Sequence, residues 1–276
     1  MMAASARQKS LIIPREHGAW GILLVPLVTG ASVGLLAGGS AASLAPLLMA
    51  ALALFWLRTP VESWMGTGPL RARTPGEIQF VRNTAAVLAA VSIGALTWMF
   101  WGGRNPVLLW IGAAAGAAFL AQSAVKRIWR NARTAAQMIG AAGLTSTAPA
   151  AYCAVTGGWS GAAWPLWAAN LLFAINQIYF VQLRIHAARA TCGREKLFAG
   201  RGFLASQFLL IALLAGASAF HLFPWYGILA FLPVLLRGFA WFAAAPRPLA
   251  IHSLGKSELV YACLFGGLLV LGIELR

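Results

Sequence analysis

The 276-residue sequence contains no aspartate; all six of its acidic residues are Glu. That absence excludes every mechanism built on an aspartate, including the Asp-rich magnesium sites of diphosphate chemistry. Charge of either sign is scarce. Asp, Glu, Lys and Arg make up 10% of the chain, against about 25% in a soluble domain, which is too few for a water-facing surface. Cysteine is nearly missing as well. Cys153, Cys192 and Cys263 lie far apart, lack metal-ligand spacing and cannot all pair, so they read as small apolar residues inside helices or loops. The chain has no P-loop, no dinucleotide fingerprint and no HExxH, and His17, His186, His221 and His252 are isolated in sequence. No cofactor and no metal are therefore expected.

What the chain does have is apolar length. Sixty per cent of it is hydrophobic, with 12 Trp, 15 Phe and 29 Gly, and its mean hydropathy is +0.76. Interfacial aromatics and closely packed small residues are the habit of bilayer-embedded helices. A crossing helix needs about 20 residues. That ruler predicts nine spans, at 18–39, 41–58, 83–102, 106–125, 134–155, 163–185, 203–221, 224–242 and 257–275. The breaks between them hold charges, prolines or glycines, as at 71–76 and 246–248. The first apolar stretch runs past 20 residues and so reads as a retained span, not a cleaved signal. The turn from Gly38 to Ala42 is short enough to make the first two spans an antiparallel hairpin. The expected architecture is all-α: one polytopic transmembrane bundle over residues 1–276.

The formal net charge is +15. With nine spans, every Lys and Arg except Arg104 and Arg276 falls on the side of the N-terminus. By the positive-inside rule that side is cytoplasmic, giving N-in and C-out. The basic loops thereby serve as topology signals and as contacts for anionic lipid headgroups; no nucleic-acid role is needed to explain them.

Polar residues within or beside spans are expensive and hence informative. Pro14-Arg15-Glu16-His17-Gly18-Ala19-Trp20 opens the first span and reads either as an interfacial anchor or as the charged lip of a pocket. Arg58 and Glu62 close the second span. They stand four residues apart and can pair if the helix survives Pro60. The sixth span is the most polar. Asn170, Gln177 and Arg184 recur every seven residues on one face, Asn176, Tyr179 and His186 form a neighbouring stripe, and Gln182 lies between them. That pattern fits interhelical hydrogen bonding or a polar cavity opening to the cytoplasm. In the fifth span Thr145, Ser146 and Thr147 precede Pro149, as hydroxyls that bond carbonyls freed at a kink do. Glu258 and Tyr261 share a face of the ninth span, where Glu258 faces a pocket or favours the helix dipole.

The stretch from Pro14 to Trp20 resembles the opening signature of the YwiC-like family of bacterial membrane proteins. Ala148-Pro149-Ala150-Ala151-Tyr152, Leu183-Arg184, the segment from Leu232 to Arg237, Arg247-Pro248-Leu249 and the segment from Leu254 to Glu258 extend the resemblance along nearly the whole chain. It implies a multi-pass protein of the bacterial inner membrane and names no reaction. A looser similarity is to UbiA-type intramembrane prenyltransferases. These also have nine helices, with Asp-rich catalytic motifs after the second and sixth. Here those exits carry Arg58, Glu62, Asn176, Gln177 and Arg184 and no Asp, so metal-dependent prenyl transfer is not expected.

Three functions remain open on the sequence. The first is binding of an anionic or isoprenoid-type amphiphile in a basic cytoplasmic-side pocket, with Arg15, Glu16, His17, Arg58, Glu62, Asn176, Gln177, Tyr179, Arg184 and Glu258 as candidate contacts. The second is a non-catalytic subunit or assembly factor that mates with a membrane-protein partner. The third is a small-molecule transporter.

Overall fold

A computed structural model describes residues 2–14, 17–68, 70–103, 105–129, 132–245 and 249–275. Among these residues the secondary structure is helical throughout, with no strand. The α-helices are α1 (Met2–Ile12), α2 (His17–Leu36), α3 (Leu44–Met65), α4 (Pro75–Gly103), α5 (Val107–Ile128), α6 (Arg133–Thr145), α7 (Thr147–Thr156), α8 (Ala163–His186), α9 (Gly193–Ala219), α10 (Trp225–Ile228), α11 (Leu232–Ala243) and α12 (Ile251–Glu274). Nine segments among the described residues are long and apolar enough to cross a membrane, and each overlaps one of the nine predicted spans. The chain is a multi-pass membrane protein.

The helix ends follow local chemistry. Helix α3 runs through Pro60 to Met65 and stops at Gly66, whose φ of 72° is the left-handed cap that glycine adopts without a Cβ penalty. Helix α4 begins at Pro75, eight residues before the predicted span, because Thr74 and Glu77 form a capping box. The Thr74 hydroxyl accepts the Glu77 N–H at 3.2 Å, and the Glu77 carboxylate accepts the Thr74 N–H at 3.4 Å. Helix α9 likewise starts early: the Glu195 carboxylate accepts the backbone N–H and the hydroxyl of Thr191 at 2.8 and 3.0 Å. The fifth span is broken at Ser146 into α6 and α7. Around the break the hydroxyls of Thr145, Ser146 and Thr147 donate to Ala141, Gly143 and Leu144 carbonyls, and Thr147 also donates to the Leu23 carbonyl of α2 at 2.9 Å.

Small residues set the helix pairs. Gly30 of α2 lies on the Ala148 carbonyl of α7, where any Cβ would collide with backbone, and a Cβ at Gly34 would stand 3.0 Å from Val155. This close approach makes α7 the intimate partner of α2. Helices α2 and α3 run antiparallel, but each packs on α7 more than on the other, and Trp20 meets Phe55 near one end at 4.7 Å between ring centroids. Helix α3 packs chiefly on α4, and α8 touches α2, α6, α7, α9 and α12, so it forms the hub of the bundle. Helix α1 lies outside the spans, tied by the Ser63 hydroxyl and the Trp56 indole N–H, which donate to the Leu11 and Ile12 carbonyls at 2.9 and 2.7 Å. An Arg7–Glu77 ion pair at 2.6 Å adds to that tie.

Candidate functional site

The polar residues singled out from the sequence fall into two clusters. In the first, Arg58 pairs with Glu62 at 3.1 Å across one turn of α3, which requires the helix to continue through Pro60. Lys126 of α5 reaches the same carboxylate oxygen at 3.0 Å. Lys126 had been read from sequence only as a topology signal; nothing in its local sequence points to Glu62, 64 residues away.

Arg58 stands between two cavities. The smaller, about 50 Å³, lies under the end of α1 and is lined by Ser10, Pro14, Thr59, Glu62 and Ser63 among others. The larger, about 260 Å³, is an apolar chamber between α2, α3, α4, α5 and the broken α6–α7 pair. Its wall carries leucines, alanines and glycines, with Phe55, Met99 and Phe119. Besides Arg58, the polar side chains on the wall are Gln122, Ser146 and Thr147. The two hydroxyls are already bonded to helix carbonyls. Gln122 is 4% exposed and makes no hydrogen bond among the described residues. Gly140 makes room for it: a methyl group there would sit 2.7 Å from both polar atoms of the amide.

The second cluster lies between α8, α11 and α12. Arg237 donates to Glu258 at 2.5 Å, both side chains being 8% exposed. The guanidinium also rests 4.0 Å from the Phe180 ring centre and 4.5 Å from that of Tyr261. Gln177 donates to the Glu258 backbone carbonyl at 2.7 Å, and Arg184 is within electrostatic reach of Glu258. Tyr179 packs at the edge of an apolar group formed by Phe180, Leu183, Phe203 and Leu254. Arg237 was missed as a site residue because its partner is 21 positions away on the next crossing helix. A neighbouring clamp was missed for the same reason: buried Lys196 of α9 donates to the Trp241 carbonyl and, at 2.6 Å, to the Ala244 carbonyl, closing the end of α11.

The amides of α8 are spent mostly on neighbouring helices. Asn170 donates to the Thr29 hydroxyl of α2 at 3.2 Å, and Gln182 donates to Gln137 of α6 at 2.9 Å. Asn176 is the exception, buried with its carbonyl oxygen unpartnered. Neither cavity described above is lined by an α8 residue. Of the opening motif, Arg15 and Glu16 lie outside the described residues, as does the side chain of His17.

Comparison with known proteins adds the family. No curated protein and no solved structure matches the chain. A family model described as YwiC-like protein matches residues 13–152. The match stops short of the segments from Leu183 onward that the sequence resemblance had included. It takes in every residue lining the chamber, from Leu23 to Ala150, together with Arg58, Glu62, Gln122 and Lys126. With just over half of its length on that model, from the Pro14 motif to Tyr152 in α7, this multi-pass membrane protein belongs to the YwiC-like family.

Proposed function

We propose that the protein binds an anionic amphiphile of acyl or isoprenoid type, with its head at Arg58 and Lys126 and its tail in the chamber. The observation that carries this reading is the meeting of an apolar cavity of about 260 Å³ with a cluster in which two cations share one carboxylate. Arg58 lines the chamber, so a phosphate or carboxylate head beside it gains charge-assisted hydrogen bonds. The basic end of the bundle is taken as cytoplasmic and the membrane as the bacterial inner membrane, on the charge asymmetry and the family. The Arg237–Glu258 cluster is read as a clamp that holds α8, α11 and α12 together through its ion pair, the Gln177 bond to the Glu258 carbonyl and the packing of the guanidinium on Phe180 and Tyr261.

Native mass spectrometry of protein purified in mild detergent, with lipid extraction from the same sample, tests the reading. The expected result is a stoichiometric anionic amphiphile that is lost in Arg58→Ala while the variant stays folded. An adduct unchanged in Arg58→Ala overturns it. A stoichiometric protein partner without such a lipid replaces it with the subunit reading.

A further inference from the structure

The buried polar residues of α8, α9, α11 and α12 form one layer. In α8, Asn176 and Gln177 stand between Phe173 and Phe180, a turn away on either side; in α9, Gln207 stands between Phe203 and Leu210. In α11, Arg237 stands between Val234 and Trp241, and in α12, Glu258 stands between Leu254 and Ala262. Phe173, Leu210, Val234 and Ala262 belong to one buried apolar cluster. Phe180, Phe203 and Leu254 belong to another, on which Trp241 packs. Each helix therefore sets its polar side chain at the same level, between two apolar slabs. Contacts within the layer agree with that placement. Arg237 reaches Glu258, and Gln177 reaches the Glu258 backbone carbonyl. The Gln207 amide lies against Gly238 of α11, where a methyl group would stand 3.0 Å from its oxygen.

The layer is incompletely bonded. Among the described residues, eight buried side-chain nitrogen or oxygen atoms have no hydrogen-bond partner, and six of them are here: Asn176 Oδ1, Gln207 Nε2 and Oε1, Arg237 Nε and Nη2, and Glu258 Oε2. That concentration sets the layer apart, because an unsatisfied polar group at membrane depth is costly. The guanidinium rests on the Phe180 and Tyr261 rings, and its Nη1 holds Glu258. The edge bearing Nε and Nη2 is left over, and that edge is a fork that grips a carboxylate with two parallel bonds. The remaining open atoms are one amide nitrogen and three acceptor oxygens. A carboxylate alone would set a second anion beside Glu258, and an ammonium alone a second cation beside Arg237, where unpaired charge is expensive. A small zwitterion adds no net charge and matches both halves of the layer.

We infer that α8, α9, α11 and α12 hold a second binding site, for a free amino acid. Its carboxylate lies on the Arg237 fork with the Gln207 N–H beside it. Its ammonium lies on Glu258 Oε2, Asn176 Oδ1 and the Gln207 amide oxygen. Rotation of the Gln207 side chain away from Gly238 makes the room. The site is separate from the chamber, whose lining residues all precede α8.

Equilibrium dialysis of the full chain in mild detergent against an equimolar mixture of the twenty amino acids, read by mass spectrometry, tests the site. The expected result is stoichiometric retention of one amino acid or a few. For the best-retained one, the decarboxylated amine and the deaminated acid should each bind about tenfold more weakly, since each leaves one half of the layer unpaired. Gln207→Leu should weaken binding by about tenfold and melt no lower than wild type, because an apolar group of similar size replaces an unpartnered amide. Arg237→Lys keeps the charge but not the fork and should also lose binding. Arg58→Ala, at the chamber, should bind the amino acid as wild type does. Retention of no amino acid overturns the inference and leaves the six atoms to internal water. Equal binding of the deaminated acid, or unchanged binding in both Gln207→Leu and Arg237→Lys, overturns it as well. Each of these failures leaves the amphiphile reading standing, since that reading is tested by the lipid adduct.

Discussion

Glu62 holds Arg58 and Lys126 on a single oxygen, so its charge tunes how strongly the mouth of the chamber attracts an anion. Glu62→Gln leaves both cations and removes the carboxylate that competes with a ligand head. It should bind hexadecyl phosphate several-fold more tightly than wild type, and melt at a lower temperature because a partly buried pair has been broken, at about 1–3 kcal/mol. Binding isotherms and melting curves on the same preparation check both signs. Arg237 and Glu258 are paired with less access to water, so breaking their pair is costlier. Arg237→Met strands a buried carboxylate and should destabilise by about 3–5 kcal/mol, whereas the double variant Arg237→Met, Glu258→Met should recover most of that loss. A double variant no more stable than the single would mean that the cation's packing on Phe180 and Tyr261 outweighs its charge.

At the scale of elements, glycine does two different jobs. Gly30 brings α2 onto the α7 backbone, so Gly30→Ala should lower the melting temperature clearly, while Gly18→Ala, with nothing within 4 Å, should not. Gly116 leaves empty space in the chamber. Gly116→Leu should fill it, keep the fold, and abolish binding of hexadecyl phosphate while sparing octyl phosphate, whose shorter tail stays near the mouth. Equal loss of both probes would place the tail elsewhere. Element starts show how local the legible information is. The early start of α4 is written in Thr74-Pro75-Gly76-Glu77, a capping box whose two bonds span three residues. A ruler based on hydropathy alone passes over it because the first turn is polar. The broken α6–α7 span was readable for the same reason, since the hydroxyls that repair the break precede Pro149 directly.

For the molecule as a whole, the cysteines report topology. Cys192 is exposed just before α9, at the basic end of the bundle, and Cys153 is fully buried in α7. With the basic end cytoplasmic, a membrane-impermeant maleimide should spare Cys192 in intact cells and label it in inverted vesicles, with Cys153 unlabelled in both. Labelling of Cys192 in intact cells would reverse the assigned orientation. The family match ends within α7, at Tyr152, and the chamber lies wholly within it, so the amphiphile reading concerns the α2–α7 part of the bundle, while α8–α12 contribute the hub and the Arg237 clamp.

The sequence by itself determined the nine spans found among the described residues, because hydropathy acts over single helices and needs no partner. Tertiary structure alone decided the site. Whether Glu62 faces Lys126, whether Glu258 faces Arg237, and whether an amide is spent on a neighbouring helix like Gln177 or left open like Gln207 depend on residues tens of positions away. A polar group at membrane depth must be satisfied by something, and only the packing of the helices shows that Asn176 and Gln207 are among those left without a protein partner among the described residues.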